Sequence, residues 1–367
     1  MKTALEKLMR QGLSDQVFPG AVLLVARGGS IVFFEAYGRA NIFSQRPVTR
    51  DTVFDLASLT KPLATTLAVA KLCEGGQLTL DRTLGVLLPE VEATPQEGIT
   101  LRNLLEHCSG LPAYRPYYLV LGRIPSDQRQ DALRMMLCKE TLVNPVGERV
   151  LYSDVGFMFL TWVLERAAGR RLDELTRREI YEPLGLNDLF FVDLMGASKP
   201  TSFAATERCA WRGRVIEGAV HDENAYAAGG IAGHAGLFGK AADVYLLLQW
   251  MLDVYRCKIG VGPLRADTLH RFLGRNPLTG RPLGFDAPAK EGSSSGRFFS
   301  PKTVGHLGFT GTSFWMDLDR ELIVLLLTNR VHPTRENERI KAFRPRLHDQ
   351  VMKIFFPTEC KLQASAG

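Results

Sequence analysis

Apolar positions change their period along this chain. Near the N-terminus, "GAVLLVARGG" and "SIVFFEAYG" are short runs rich in Val, Ile and Phe, separated at Gly28–Gly29. Such runs bounded by glycine predict the two strands of a hairpin. Near the C-terminus "KTVGHLGFTG", "TSFWMDLD" and "ELIVLLLTN" predict three more strands, with Asp319–Arg320 as a tight turn between the last two. Between the two ends the spacing is mostly helical, interrupted by loops at "EHCSGLPAYRPYY", "NPVGERV" and "GLNDLFF". Helical spacing also marks the first residues (Leu5, Leu8, Met9, with Leu13 near the end) and the segment from Ala342 to Phe356 (Phe343, Leu347, Val351, Ile354, Phe355).

Strands at both termini and helices between them predict an α/β fold. One antiparallel sheet is assembled from the two chain ends, and the long insertion forms a mostly helical lobe. The expected division is residues 1–75 and 230–367 for the sheet-bearing lobe and 76–229 for the helical one, with a site in the cleft between them. There is no fixed-period repeat, and the Ser/Gly-rich patch at residues 290–302 reads as a mobile surface loop.

Composition narrows the function classes. The formal charge of +6 comes from 45 basic against 39 acidic residues, and the basic ones are scattered. Nucleic-acid binding needs a clustered patch or stripe, so it is set aside. No segment approaches the roughly 20 apolar residues that span a bilayer. The N-terminal stretch lacks the apolar core of a secretory signal, so the expected location of the chain as given is cytoplasmic. The six cysteines form no C-x-x-C pair and read as buried free thiols.

Chemistry is concentrated in three places. In "ASLTKPLATTLAVAKLCEGG" a helix starting near Ser58 is apolar almost all round, hence central and buried, and it ends at Gly75–Gly76. Ser58 and Lys61, at i and i+3, share a face at its start. A serine hydroxyl needs a neighbouring base, and a desolvated lysine of lowered pKa can be one. Average composition alone produces such a pair by chance, so the spacing by itself does not decide.

The second place is "GERVLYSDVGFMFLTWVLERAAG". Ser153 or Asp154 can cap a helix running to Gly169, which leaves Tyr152 on the preceding loop, where it can project into a cleft. A phenol beside an ammonium has a depressed pKa and can relay a proton; the alternative is a core tyrosine before an ordinary cap. The third is "TVGHLGFTGTSFWMDL", where His306, Gly308 and Gly311 interrupt a strand. Glycines there let a ligand or another backbone approach closely, while a lone strand histidine is commonly structural. His221, Asp222, Glu223 and His234 in "VHDENAYAAGGIAGHAGLFG" match no defensible metal spacing, and the glycine-rich continuation reads as a loop packed tightly at the cleft. No metal and no cofactor is expected.

In this order, the three motifs resemble those of the serine β-lactamase and penicillin-binding protein superfamily. The likeness is closer to class C β-lactamases, serine DD-carboxypeptidases and related esterases. S-x-x-K matches Ser58-Leu59-Thr60-Lys61, Y-x-N matches Tyr152-Ser153-Asp154, and K-T-G, often H-x-G in esterase-like branches, matches His306-Leu307-Gly308. "LLEHCSGLP" looks like the family's "LLTHTSGLP". "VHDENAYAAGGIAGHAGLF" and "NRVHPT" look like the penicillin-binding protein 4B type.

The resemblance implies acyl transfer from an ester, amide or β-lactam carbonyl through Ser58 to water, on a small-molecule or peptide substrate. Lys61 and Tyr152 would share the proton transfers, and the backbone N–H groups of Ser58 and Phe309 would form the oxyanion hole. Two departures stand out. Asp154 puts a carboxylate where the family has an amide, which should hold Lys61 protonated and pass the role of base to Tyr152. His306 and Leu307 replace the lysine and hydroxyl residue that help grip a substrate carboxylate, so Asp154, His306, Gly308 and Phe309 are the substrate-side candidates. These departures favour esters or amides over β-lactams, and they leave a non-catalytic binding or scaffold protein as the alternative. The oligomeric state is left open.

Overall fold

A computed structural model describes residues 2–196, 202–289 and 291–365. Its centre is a six-stranded antiparallel sheet made from both chain ends. The strands are β1 (Gly20–Arg27), β2 (Ser30–Asn41), β3 (Arg46–Pro47), β4 (Thr303–Leu307), β5 (Ser313–Asp317) and β6 (Leu322–Thr328), in the order β3-β2-β1-β6-β5-β4. The two termini join where β1 pairs with β6, from Ala21 opposite Thr328 to Arg27 opposite Leu322. Gly28 and Gly29 close the β1–β2 hairpin with φ of 56° and 82°. Two successive positive values define the turn that matches strand twist and explain the glycine pair.

Alternation assigns each strand face. Ala21, Leu23 and Val25 of β1, with Leu322, Val324 and Leu326 of β6, pack beneath helices α1 (Lys2–Ser14) and α5 (Ile340–Phe355) through Leu5, Met9, Phe343, Leu347 and Val351. Val22, Leu24, Ile323, Leu325 and Leu327 point the other way. They share a core with α2 (Leu67–Glu74), α3 (Asp154–Ala168) and α4 (Ala241–Tyr255). Burial on both faces is why β1 and β6 read as continuous apolar runs rather than as alternating ones.

The turn expected at Asp319–Arg320 is present over residues 318–321 and is organised by the buried Asp317 carboxylate, which accepts from the N–H groups of Asp319, Arg320 and Ser300. Several expectations are corrected. Within "GLNDLFF", Leu189–Phe191 is a short strand paired with Leu237–Gly239. Residues 291–302 are not a loose surface loop: Phe298 and Phe299 are buried under α5, and Ser300 Oγ donates to Asp317; Lys290 lies outside the described residues. The six cysteines are free, but Cys257 is exposed and Cys73 and Cys138 are half-buried. Among the described residues no helix is long and apolar enough to cross a membrane.

Candidate active site

The segment expected to be one helix from Ser58 is built in three pieces: a 3₁₀ turn at Ala57–Leu59, a π-helical stretch at Lys61–Thr66, and α2. Pro62 removes one helical donor. Thr60 and Thr65 direct their hydroxyls outward, to the Leu237 N–H at 3.0 Å and the Gly233 carbonyl at 2.7 Å. Thus the glycine-rich run after His221 threads closely past this helix. A Cβ on Gly233 would lie 2.5 Å from Thr161 Oγ1 and 2.8 Å from Thr65 Oγ1. Ala57, just before Ser58, has φ of 49°, which is costly for a non-glycine residue. The buried Asp55 holds it there: one carboxylate oxygen accepts from the Ala57 N–H at 2.8 Å and the other from the His221 N–H at 2.6 Å.

Lys61 is fully buried, and its Nζ donates to Ser58 Oγ at 3.2 Å, Asp154 Oδ1 at 2.6 Å and the His234 carbonyl at 2.9 Å. Asp154 reaches it from the first turn of α3, whose cap is Ser153, with Oγ accepting from the Gly156 N–H at 3.1 Å. Tyr152 precedes that cap. Its ring lies 4.9 Å from Lys61 Nζ, and its hydroxyl end faces Lys61 and Ser58. The side chain remains 36% exposed along one face while its hydroxyl end is enclosed.

Asp154 holds Lys61 protonated, as its carboxylate led one to expect, while the expectation for Tyr152 changes. Burial pulls the Lys61 ammonium down, but the Asp154 carboxylate and Tyr152 outweigh it, so Lys61 is held above the ordinary lysine value rather than below. Burial pushes the Tyr152 phenol up, and the neighbouring ammonium offsets this without reversing it, so the phenol is raised rather than depressed.

The third motif approaches from the sheet. The turn from β4 to β5 is closed by Gly308 N–H to the Thr312 carbonyl at 2.7 Å and Gly311 N–H to the Gly308 carbonyl at 3.0 Å. Thr310 and Thr312 hydroxyls tie it to the Asp55 and Leu56 carbonyls at 2.8 and 3.0 Å. Gly308 therefore answers the glycine question in favour of backbone approach. Its absent Cβ would lie 2.0 Å from Thr312 Oγ1 and 2.7 Å from the Leu56 oxygen. Phe309 is carried into the cleft, between the His221 ring at 5.6 Å and the Arg330 guanidinium at 4.6 Å.

His306 is not brought to the cleft surface. It is buried behind Tyr152, with ring centroids 6.0 Å apart, and burial pushes it down to about 4, so it is neutral near pH 7.

The resulting cleft has a volume of 360 Å³, and Ser58, Tyr152, Asp154 and Phe309 line it. Its far wall holds the acidic–histidine run. His234 Nε2 lies 3.0 Å from Asp222, and His221 Nε2 lies 3.1 Å from Glu207, so the two rings pair with different carboxylates rather than converging. Arg335 closes the wall, bidentate to Glu207 through Nε to Oε1 at 2.8 Å and Nη2 to Oε2 at 2.5 Å, and bonded also to Glu223.

Sequence reading missed Arg335 and Tyr114 in this lining, and it missed two buried supports, Asp55 and His107. His107 Nδ1 accepts the Ser153 N–H at 3.1 Å, and its ring stacks 4.5 Å from that of Tyr152. The available signal was adjacency: Asp55 stands inside "FDLASLTKP", His107 inside "LLEHCSGLP", and Arg335 just after "NRVHPT".

The chain is similar to known proteins over most of its length. The chain belongs to the beta-lactamase family, whose model matches residues 5–345. It is 34% identical over 349 residues to the N-acetylmuramyl-L-alanine amidase of Bacillus subtilis, covering 86% of this chain and 78% of the relative. It is 32% identical over 360 residues to an Escherichia coli protein provisionally named D-alanyl-D-alanine carboxypeptidase, covering 88% and 82%. Two solved structures share the fold. EstCE1, a hydrolase with promiscuous acyltransferase activity, has a TM-score of 0.71 at 23% identity, covering 93% and 97%. The octameric penicillin-binding protein homologue from Pyrococcus abyssi has 0.72 at 22%, covering 95% and 78%.

Proposed function

We propose that this beta-lactamase family member is a serine hydrolase that opens an amide or ester through an acyl-enzyme on Ser58. The observation that carries this reading is the cluster at the Ser58 hydroxyl: it accepts from Lys61 Nζ, which Asp154 also holds, and Tyr152 stands beside that ammonium in the cleft. Ser58 Oγ bonds to the scissile carbonyl carbon, the carbonyl electron pair moves onto its oxygen, and the N–H groups of Ser58 and Phe309 receive that charge. The serine proton enters the Tyr152–Lys61 pair, which returns it to the departing amine or alcohol. Water then repeats the sequence and releases the acid. The competent form of the pair carries one proton fewer than the resting ammonium and phenol, so its population grows as pH rises.

The substrate follows from what flanks the nucleophile. The position matching the family's lysine holds a buried, neutral His306. The Arg335 guanidinium in the cleft is already shared by Glu207 and Glu223. A carboxylate next to the scissile bond thus finds neither the family's lysine nor a free Arg335 to pair with, and a substrate uncharged beside that bond is favoured. The bond between N-acetylmuramyl and an L-alanine whose own carboxyl continues into a peptide fits that description, and it is the first candidate to carry over from the Bacillus subtilis relative.

A side-by-side assay of a short-chain nitrophenyl ester, N-acetylmuramyl-L-alaninamide (its alanine carboxyl blocked as the amide), nitrocefin and a D-Ala-D-Ala peptide tests this. The ester and the muramyl amide should exceed the two carboxylate-bearing substrates by about 10-fold or more in kcat/KM. Preference for the D-Ala-D-Ala peptide would replace the amidase reading with a carboxypeptidase one. No turnover of any of the four would favour a binding protein.

A further inference from the structure

Arg344, on α5, is 5% exposed. Its Nη2 donates to the Gly308 carbonyl at 3.3 Å and to the Thr312 carbonyl at 2.7 Å, and its Nε has no partner. Among the described residues no carboxylate pairs with it, and the neighbouring charge it senses is the like-charged Arg330. Burial lowers its pKa to about 9, which still leaves it cationic near pH 7. An unpaired buried guanidinium is expensive to keep in a folded protein.

Both carbonyls belong to the turn that carries Phe309. Gly308 C=O and Phe309 N–H are the two ends of one resonance-coupled peptide unit. A cation on the oxygen draws electron density from the nitrogen, and the N–H becomes a stronger donor. Arg330 Nε fixes the other side of the same residue, donating to the Phe309 carbonyl at 2.8 Å.

We propose that Arg344 is a positioning residue of the oxyanion site: acting through the Gly308–Phe309 peptide, it orients and strengthens the N–H that receives the negative oxygen formed when Ser58 adds to the carbonyl. That oxygen supplies the anion which the fold does not otherwise provide for this guanidinium. The step consumes no further reagent. One C–O bond forms, the carbonyl π pair moves to oxygen, and the serine proton goes to the Tyr152–Lys61 pair. The inference rests on the reading of Ser58 as nucleophile and Phe309 as donor.

The test compares wild type, Arg344→Gln and Arg344→Lys, each checked for folding by thermal melting. The readouts are nitrophenyl acetate turnover and inhibition by phenylboronic acid, which becomes a tetrahedral anion on a serine. Arg344→Gln should lose about 10-fold or more in kcat with KM within about 2-fold, and boronate affinity should fall in parallel. Arg344→Lys keeps the cation and should retain most of both.

A glutamine variant equal to wild type would overturn the inference, and so would a loss of boronate affinity as large in the lysine variant as in the glutamine one. If the glutamine variant does not fold, the lysine variant alone decides: retained boronate affinity supports the inference and its loss overturns it. Wild type that neither turns over the ester nor binds the boronate would instead remove the Ser58 reading, and the inference with it.

Discussion

Replacing Gly308 with alanine is expected to cut kcat/KM for a nitrophenyl ester by about 100-fold or more while leaving a folded protein. The residue is absent from the positive-φ glycines, so its backbone conformation does not demand glycine. Space does. The new methyl group would stand 2.7 Å from the Leu56 carbonyl, a backbone atom two residues before the nucleophile, and 2.0 Å from Thr312 Oγ1. The hydroxyl can rotate away, at the loss of its 3.0 Å bond to Leu56. The carbonyl cannot rotate away, so the Phe309 turn and the Ser58 turn must separate.

Overpacking of this kind costs on the order of 1–3 kcal/mol in stability. The catalytic loss is larger, because the two proposed oxyanion donors sit on opposite sides of the widened gap. Kinetics and thermal melting on the same preparation separate the two effects. Activity within a few-fold of wild type would mean that Phe309 does not act in concert with Ser58.

Asp154→Asn should move the acid limb of the kcat/KM profile to lower pH by about 1 unit or more. The carboxylate stands 2.6 Å from Lys61 Nζ and raises the pKa of Lys61 and of Tyr152. Taking the anion away lowers both, whichever group holds the proton that must leave. The sign is therefore fixed by charge alone: the one-proton-poorer form of the pair becomes populated at lower pH. Asparagine keeps the size of the side chain and the family's usual amide at this position, so the fold should be unaffected. Superimposable profiles would show that the Tyr152–Lys61 pair does not set the active protonation state.

The sheet was legible because β1 and β6 are apolar on both faces and because two adjacent glycines mark the β1–β2 hairpin. The pairing of Ser58 with Lys61 was legible because it is local, three residues on one helical face. Tyr152 and Asp154 were legible as a capped helix start, although nothing in spacing brings that start to Lys61. What stayed hidden was long-range. Asp55 reaches His221 across 166 positions, and Arg344 reaches the Gly308 and Thr312 carbonyls by packing α5 against the sheet. The shift directions were hidden too, since they depend on the balance of burial and charge at each group. A neighbouring ammonium argues for an acidic phenol, and only the enclosure of Tyr152 reverses that argument. His306 shows the converse: a motif position can match while its side chain lies behind the site.

The central claim is the acyl-enzyme on Ser58, and intact-mass analysis after exposure to a fluorophosphonate tests it most directly. The account predicts a mass increase of one phosphonyl group, located by digestion on the peptide containing Ser58 and absent from Ser58→Ala. An unlabelled wild type, or a label that persists in Ser58→Ala, would contradict it.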